Sequence, residues 1–101
     1  MNEAIKKTIE IIESKKGENI KVYDVTGKSP FMDYVIVCDG SSSGKMEAIA
    51  TEIKKEIPSY KLMEGASEGQ WILIDCGDFI VNIFNEEKRE YYNLDELYQS
   101  S

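Results

Sequence analysis

Two short stretches of the sequence carry residue types that could do chemistry. The first is GSSSGK, Gly40 to Lys45, a glycine-rich turn that ends in Gly-Lys before a helical pattern and is typical of a phosphate cradle. The second contains Asp75 and Asp78, two carboxylates of the kind that bind catalytic metal ions. Both stretches raise the hypothesis of a protein that binds or transfers nucleotides.

The spacing of the glycine-rich stretch argues against a phosphate loop. That motif needs four residues between its first glycine and the Gly-Lys pair, and then Ser or Thr to hold magnesium. Here Gly40 and Gly44 enclose three residues, and Met46 follows the lysine on the apolar stripe of the next helix. We interpret the stretch as a structural turn in which Ser42 or Ser43 caps that helix.

The carboxylate pair also fits a metal site poorly. Paired metal ligands on a strand stand two positions apart and point to one side, whereas Asp75 and Asp78 flank a predicted turn. The sequence contains no histidine that could act as a base. We therefore predict no catalytic residue, no metal and no cofactor. A metal-dependent, nucleotidyltransferase-like enzyme that uses both aspartates remains the alternative.

Length and cysteine usage limit the class of protein. A chain of 101 residues allows one domain, assigned to residues 1–101, with a single modest core. We find no signal peptide and no apolar run long enough to span a membrane. Cys38 and Cys76 lack the spacing of a metal site. These features predict a reduced, cytoplasmic protein with two structural thiols and no membrane partner.

The net charge of −7 lies entirely in the last third of the chain. Residues 1–63 carry ten acidic and ten basic side chains, whereas residues 64–101 carry nine acidic side chains against Lys88 and Arg89. An acidic surface repels phosphate backbones and attracts basic proteins. We therefore expect a basic protein partner and no direct binding of nucleic acid.

Hydrophobic periodicity predicts an α+β fold, in which helices pack on a mixed β-sheet in the element order αββαβββα. The predicted helices and strands are a helix over 3–16 with a stop at Gly17, strands over 19–25 and 31–39, a helix over 43–57, a strand over 60–63, a hairpin over 70–84 and a last short element over 91–98.

The predicted hairpin has two unlike faces. If Cys76 and Gly77 form its turn, one face is purely apolar and belongs to the core. The other face mixes apolar, acidic and amide side chains, paired across the strands as Trp71 with Asn82, Leu73 with Ile80, and Asp75 with Asp78.

The mixed face has two possible roles. A large aromatic residue ringed by charge is typical of protein interfaces, which favours a partner that binds around Trp71. In the alternative, Trp71 packs under the C-terminal segment with Tyr91, Tyr92 and Leu94.

Ordered motifs along almost the whole chain resemble the ribosomal silencing factor family, also called Iojap-like proteins. The matching stretches are YDVTGKSPFMDYVIVCDGSSSGKMEAIA and EGASEGQWILIDCGDFIVNIFNEEKREYYNLDELY. The sequence departs from the family pattern at Asn82, where His is usual, and at Tyr98, where Trp is usual.

The resemblance implies a nucleotidyltransferase-like fold without established transferase activity, and the possibility of a homodimer. It also implies binding to ribosomal protein fourteen on the large ribosomal subunit, which blocks the joining of the small subunit and lowers translation when nutrients are short. Together with the hairpin, it predicts a partner-binding set made of Trp71, Leu73, Asp75, Asp78 and Asn82, extended or supported by Glu64, Arg89 and Tyr92.

Overall fold

The computed structural model describes residues 2–99, which form a five-stranded sheet with helices on both faces. The helices are α1 (Glu3–Ser14), α2 (Ser43–Glu56), α3 (Glu86–Tyr92) and α4 (Leu94–Gln99). The strands are β1 (Glu18–Asp24), β2 (Tyr34–Asp39), β3 (Leu62–Glu64), β4 (Trp71–Asp75) and β5 (Phe79–Phe84). Within these residues, no helix combines the length and the apolarity that crossing a bilayer requires.

The sheet is mixed, with the strand order β1-β2-β5-β4-β3. Strands β2 and β5 run parallel, and the other neighbouring pairs run antiparallel. The predicted α+β fold with a mixed sheet is therefore confirmed. Its likeness to nucleotidyltransferases stays a prediction.

Helix α1 ends slightly earlier than predicted. The side chain of Asn2 caps its first turn by accepting a hydrogen bond from the backbone N–H of Ile5. Lys16, with a φ of 67°, adopts the left-handed conformation that usually stops a helix, so the expected stop at Gly17 lies one residue away. Gly17 has another function, because a Cβ there would lie 2.4 Å from the side chain of Ile12.

The glycine-rich stretch is a structural turn, as predicted. The hydroxyl of Ser42 accepts a hydrogen bond from the backbone N–H of Lys45, 3.1 Å away, and so caps α2. Met46 is fully buried, and a Cβ at Gly40 would lie 2.6 Å from its Cγ. The turn therefore lets the end of β2 approach the first turn of α2 closely.

The hairpin of β4 and β5 forms, but the predicted pairing is wrong by two residues. The backbone N–H of Cys76 donates to the carbonyl of Phe79, so the turn consists of Gly77 and Asp78. The observed pairs across the strands are Trp71 with Phe84, Leu73 with Asn82, and Asp75 with Ile80. Side chains alternate with a period of two, so a shift of two residues changes each partner but keeps every strand side chain on its predicted face. Asp78, which was predicted on the mixed face opposite Asp75, lies in the turn instead.

The main core lies between the sheet and the pair α1 and α2. It contains the apolar hairpin face, as predicted, in which the buried side chains are Ile72, Ile74, Phe79, Val81 and Ile83. Cys38 and Cys76 are buried, free thiols in the same core.

The opposite face of the sheet is partly covered by the C-terminal helices, which the sequence analysis predicted as one element beginning at residue 91. Helix α3 begins earlier, because the side chain of Asn85 caps it by accepting from the N–H of Lys88 at 2.8 Å. Asn93 then takes a left-handed φ of 48° and separates α3 from α4. These helices cover a second, smaller core of Val25, Val35, Val37 and Phe84.

Candidate protein-binding surface

Part of the second sheet face stays uncovered, and we call this part the open face. Helix α3 packs against β5 and helix α4 against β1. On this face the side chains of β3 are exposed and those of β4 are half-buried. The cross-strand register places the following side chains together on this face: Leu62, Glu64, Leu73, Asp75 and Ile80. Leu62 is 44% exposed, and Leu73 and Ile80 are half-buried. The open face is thus an apolar strip that carries two carboxylates.

Trp71 lies where the open face meets the C-terminal helices. Its ring stacks on Phe84 with a centroid distance of 5.0 Å and lies tilted against Tyr92 at 4.8 Å. Tyr91, which is 74% exposed, contacts Tyr92 edge-on. The alternative in which Trp71 packs against the C-terminal segment is therefore confirmed for Tyr92, yet the indole remains only half-buried.

Asn82 occupies a different position from the one expected. Its side chain is buried, with 2% of the residue exposed, so the expectation that it faces a partner is wrong. The side-chain oxygen accepts the indole N–H of Trp71 at 3.0 Å, and the side-chain nitrogen donates to the carbonyl of Ile36 at 3.4 Å. The buried amide of Asn82 therefore fixes the orientation of the Trp71 indole.

Arg89 supports the surface and does not extend it. Its side chain is 12% exposed and forms ion pairs with Asp39 and Asp95, each with an N–O distance of 3.0 Å. It also donates to the backbone carbonyl of Asn19. Arg89 thus joins α3 to β2 and to α4, and so holds the helix that carries Tyr92 against the sheet.

The partners of Arg89 were missed by sequence reasoning. Asp39 is an acidic residue at the end of a buried strand, which is a signal for a paired charge, but its partner lies fifty residues away. Burial alone would raise the pKa of Asp95, yet hydrogen bonds from Arg89 and Tyr23 outweigh burial and lower that pKa. Burial, with help from the Asp95 carboxylate, raises the pKa of Tyr23 to about 12.

The two hairpin aspartates differ in their surroundings. Asp75 lies on the open face, and its carboxylate accepts the N–H of Gly77 at 2.9 Å within the turn. Asp78 is an exposed turn residue. Within residues 2–99, no three cysteine or carboxylate side chains converge in the way that a metal site requires. The structure therefore gives Asp75 a local role in forming the turn.

A shallow cleft lies at one end of the open face. It encloses about 260 Å³ and is lined by Glu64, Gly65, Trp71 and Leu73. Gly65 has a φ of +84°, and a Cβ there would lie 2.1 Å from the carbonyl oxygen of Trp71. Only glycine allows the loop after β3 to pass so close to β4, which brings Glu64 and the indole to the same cleft.

Comparison with known proteins identifies the family. All of residues 1–101 match the family described as ribosomal silencing factor during starvation. The chain belongs to this family. The resemblance seen in the sequence motifs is thereby confirmed, and the family description denotes a regulatory role connected with the ribosome.

The similar proteins come from bacteria and from a mammal. The ribosomal silencing factor RsfS of Bacillus subtilis is 39% identical over 90 residues, which cover 85% of this chain and 76% of that protein. A crystal structure of a Chromobacterium violaceum protein superposes with a TM-score of 0.89 at 27% identity, covering 98% of this chain and 88% of that one. A mouse protein named mitochondrial assembly of ribosomal large subunit protein 1 is 22% identical over 97 residues, which cover 89% of this chain and 42% of the mouse protein.

Proposed function

We propose that this protein is a translational repressor of the cytoplasm that binds the large ribosomal subunit and sterically blocks the joining of the small subunit. It acts by occupying a site and catalyses no reaction. Membership of the silencing-factor family supports this role, and the name of the mouse relative supports the large subunit as the partner.

The open face is the surface that docks on the ribosome. An apolar strip, centred on Leu73 and Ile80, supplies area that binding can remove from water. Glu64, Asp75 and Asp78 place negative charge around that strip. This combination suits a basic protein, and the partner that the family resemblance implies is ribosomal protein fourteen of the large subunit. The uncovered apolar strip is the single observation on which this placement depends.

Trp71 and Tyr92 form the border of the docking surface. Both rings are partly accessible, and the cluster that they form with Phe84 anchors them in the second core. Aromatic side chains held in this way present a large contact area with little loss of conformational entropy on binding. They are therefore suited to be energetic anchors of the interface.

The excess of acidic side chains in residues 64–101 also supports a protein partner over ribosomal RNA. Negative charge near phosphate backbones is repulsive, and a protein that avoids RNA has little of the steep salt dependence produced by counterion release. We expect binding to the large subunit to weaken only modestly as the salt concentration rises.

A sucrose-gradient assay of subunit joining tests the proposal. Purified bacterial subunits are mixed with and without the protein, and the fraction of joined ribosomes is measured. The wild-type protein should sediment with the large subunit and lower that fraction. Leu73→Arg should abolish both effects, because it places a cation where a basic partner binds. The matched control is Ala48→Arg, an exposed position on α2 far from the open face, which should act as the wild type does.

Two results would contradict the proposal. Unchanged subunit joining in the presence of a molar excess of the wild-type protein contradicts the function. Full activity of a folded Leu73→Arg variant contradicts the placement on the open face. The homodimer that the resemblance implies is tested separately, by sedimentation equilibrium of the wild type and of Leu73→Arg, since self-association through the open face would compete with the ribosome.

A further inference from the structure

The cleft lined by Glu64, Gly65, Trp71 and Leu73 offers an acidic group beside an aromatic and an aliphatic wall. Glu64 is exposed, and none of the ion pairs formed within residues 2–99 uses it. The cleft therefore carries a carboxylate that can still accept a cation from outside the chain.

The aromatic wall presents a ring without a free donor. The indole N–H of Trp71 already donates to the buried side chain of Asn82. The N–H is therefore not available to repel a cation, and the part of the indole that attracts cations is its π system. The indole is also held in place by its ring contacts with Phe84 and Tyr92, so little ordering is needed when a side chain binds.

We propose that this cleft binds an arginine side chain of the protein partner. The guanidinium pairs with the carboxylate of Glu64, and its flat face and aliphatic stem pack on Trp71 and Leu73. Arginine fits better than lysine, because a planar guanidinium both pairs with a carboxylate through two hydrogen bonds and stacks on an aromatic ring. The inference rests on the proposed function and adds to it the chemical identity of one contact.

A peptide titration tests the cleft without the ribosome. The sequence contains one tryptophan, so the indole N–H gives a single, assignable signal in a proton–nitrogen correlation spectrum. The probe is the peptide acetyl-Gly-Arg-Gly-amide, and its control is the same peptide with citrulline, which keeps the shape and removes the charge. We expect a saturable shift of the indole signal with the arginine peptide only. The shift should be lost in Glu64→Gln and kept in Glu68→Gln, a change in the same loop outside the cleft.

Two results of the titration overturn the inference. One is the absence of a saturable shift up to tens of millimolar arginine peptide. The other is an equal shift with the citrulline peptide or in the Glu64→Gln variant, because either would mean that charge pairing with Glu64 plays no part.

Binding to purified large subunits provides the second readout. Glu64→Gln should weaken binding about tenfold, whereas Glu68→Gln should leave it unchanged. Equal binding of wild type and Glu64→Gln overturns the arginine contact and leaves the proposed function standing. If the wild type fails to bind large subunits, the proposed function fails, and the peptide titration then decides alone whether the cleft accepts arginine.

Discussion

The indole nitrogen of Trp71 donates a hydrogen bond to the side-chain oxygen of Asn82, 3.0 Å away on the neighbouring strand. Asn82 is buried and also donates to the carbonyl of Ile36, so the tryptophan is tied through one amide to the centre of the sheet. A residue at the edge of the open face is in this way oriented from inside the protein. The docking surface and the second core therefore depend on each other.

The coupling between these two residues can be measured. Asn82→Leu should lower the free energy of unfolding by about 1–3 kcal/mol, because it leaves the half-buried indole N–H without its partner. Trp71→Phe removes the same hydrogen bond from the other side. Urea unfolding of the two single variants and the double variant should give a coupling energy of about 1 kcal/mol. Strictly additive effects would mean that the hydrogen bond contributes nothing to stability.

Substitution of Arg89 should lower the free energy of unfolding more than substitution of most other polar residues. Arg89→Met leaves Asp39, whose side chain is 8% exposed, without its cation, and should lower the free energy of unfolding by about 3 kcal/mol. Lys21→Met, at an exposed position on β1, is the matched control and should change stability by less than about 0.5 kcal/mol.

A second variant separates charge from packing at this site. Adding Asp39→Asn to Arg89→Met removes the unpaired carboxylate and should recover part of the lost stability in urea unfolding. No recovery would mean that the lost stability comes from the packing of Arg89 or from its ion pair with Asp95, and not from the unpaired Asp39.

Two glycines with similar backbone angles should respond differently to alanine. Gly65 and Gly27 have φ values of +84° and +80°, so both variants suffer about 1–2 kcal/mol of backbone strain. At Gly65 the new Cβ would also lie 2.1 Å from the carbonyl oxygen of Trp71, whereas nothing lies within 4 Å at Gly27. Gly65→Ala should therefore be less stable than Gly27→Ala by a further 1–3 kcal/mol or so in thermal or urea unfolding. Equal destabilisation would contradict the close approach at the cleft.

The pH dependence of stability should be flat near neutrality and fall at alkaline pH. The chain has no histidine, so no side chain with an ordinary pKa near 6.5 titrates there. Burial raises the pKa of the Cys38 and Cys76 thiols to about 12, and burial with the Asp95 carboxylate does the same for Tyr23. Each of these folded-state pKa values lies above that of the unfolded chain. The stability that these groups contribute is therefore fully present below about pH 8 and is lost as the pH rises towards 12.

At acid pH the sign is reversed. The lowered pKa of Asp95 means that its contribution is present above about pH 4 and is lost as the pH falls through the folded-state value. Urea unfolding measured across the pH range tests the expected losses of stability at acid and at alkaline pH. Tyr23→Phe should reduce the loss of stability at alkaline pH, whereas Tyr91→Phe, at an exposed position, is the control and should not. A step in stability between pH 6 and 7 would contradict the expectation that stability is flat near neutrality.

Local patterns were enough to predict most elements and the face on which each strand residue of the hairpin lies, although not that Asp78 belongs to the turn. Alternation with a period of two separates the core side chains from those of the open face, whatever the register. The same patterns gave the wrong partners across the hairpin, because the position of the turn depends on one backbone hydrogen bond between Cys76 and Phe79. They also missed the start of α3, because the capping residue Asn85 follows a strand directly and is not preceded by a loop.

The sequence by itself determined the family, the α+β class, the cap of α2 and the acidic character of the last third of the chain, because each is written in neighbouring residues or in composition. Only the tertiary structure decided that Asn82 faces inward, that Arg89 joins Asp39 to Asp95, and that the cleft beside Trp71 exists. Those features join residues from separate strands and helices. Burial and pairing between residues that are far apart in the sequence depend on how the helices and strands pack together. A local sequence pattern therefore does not predict them.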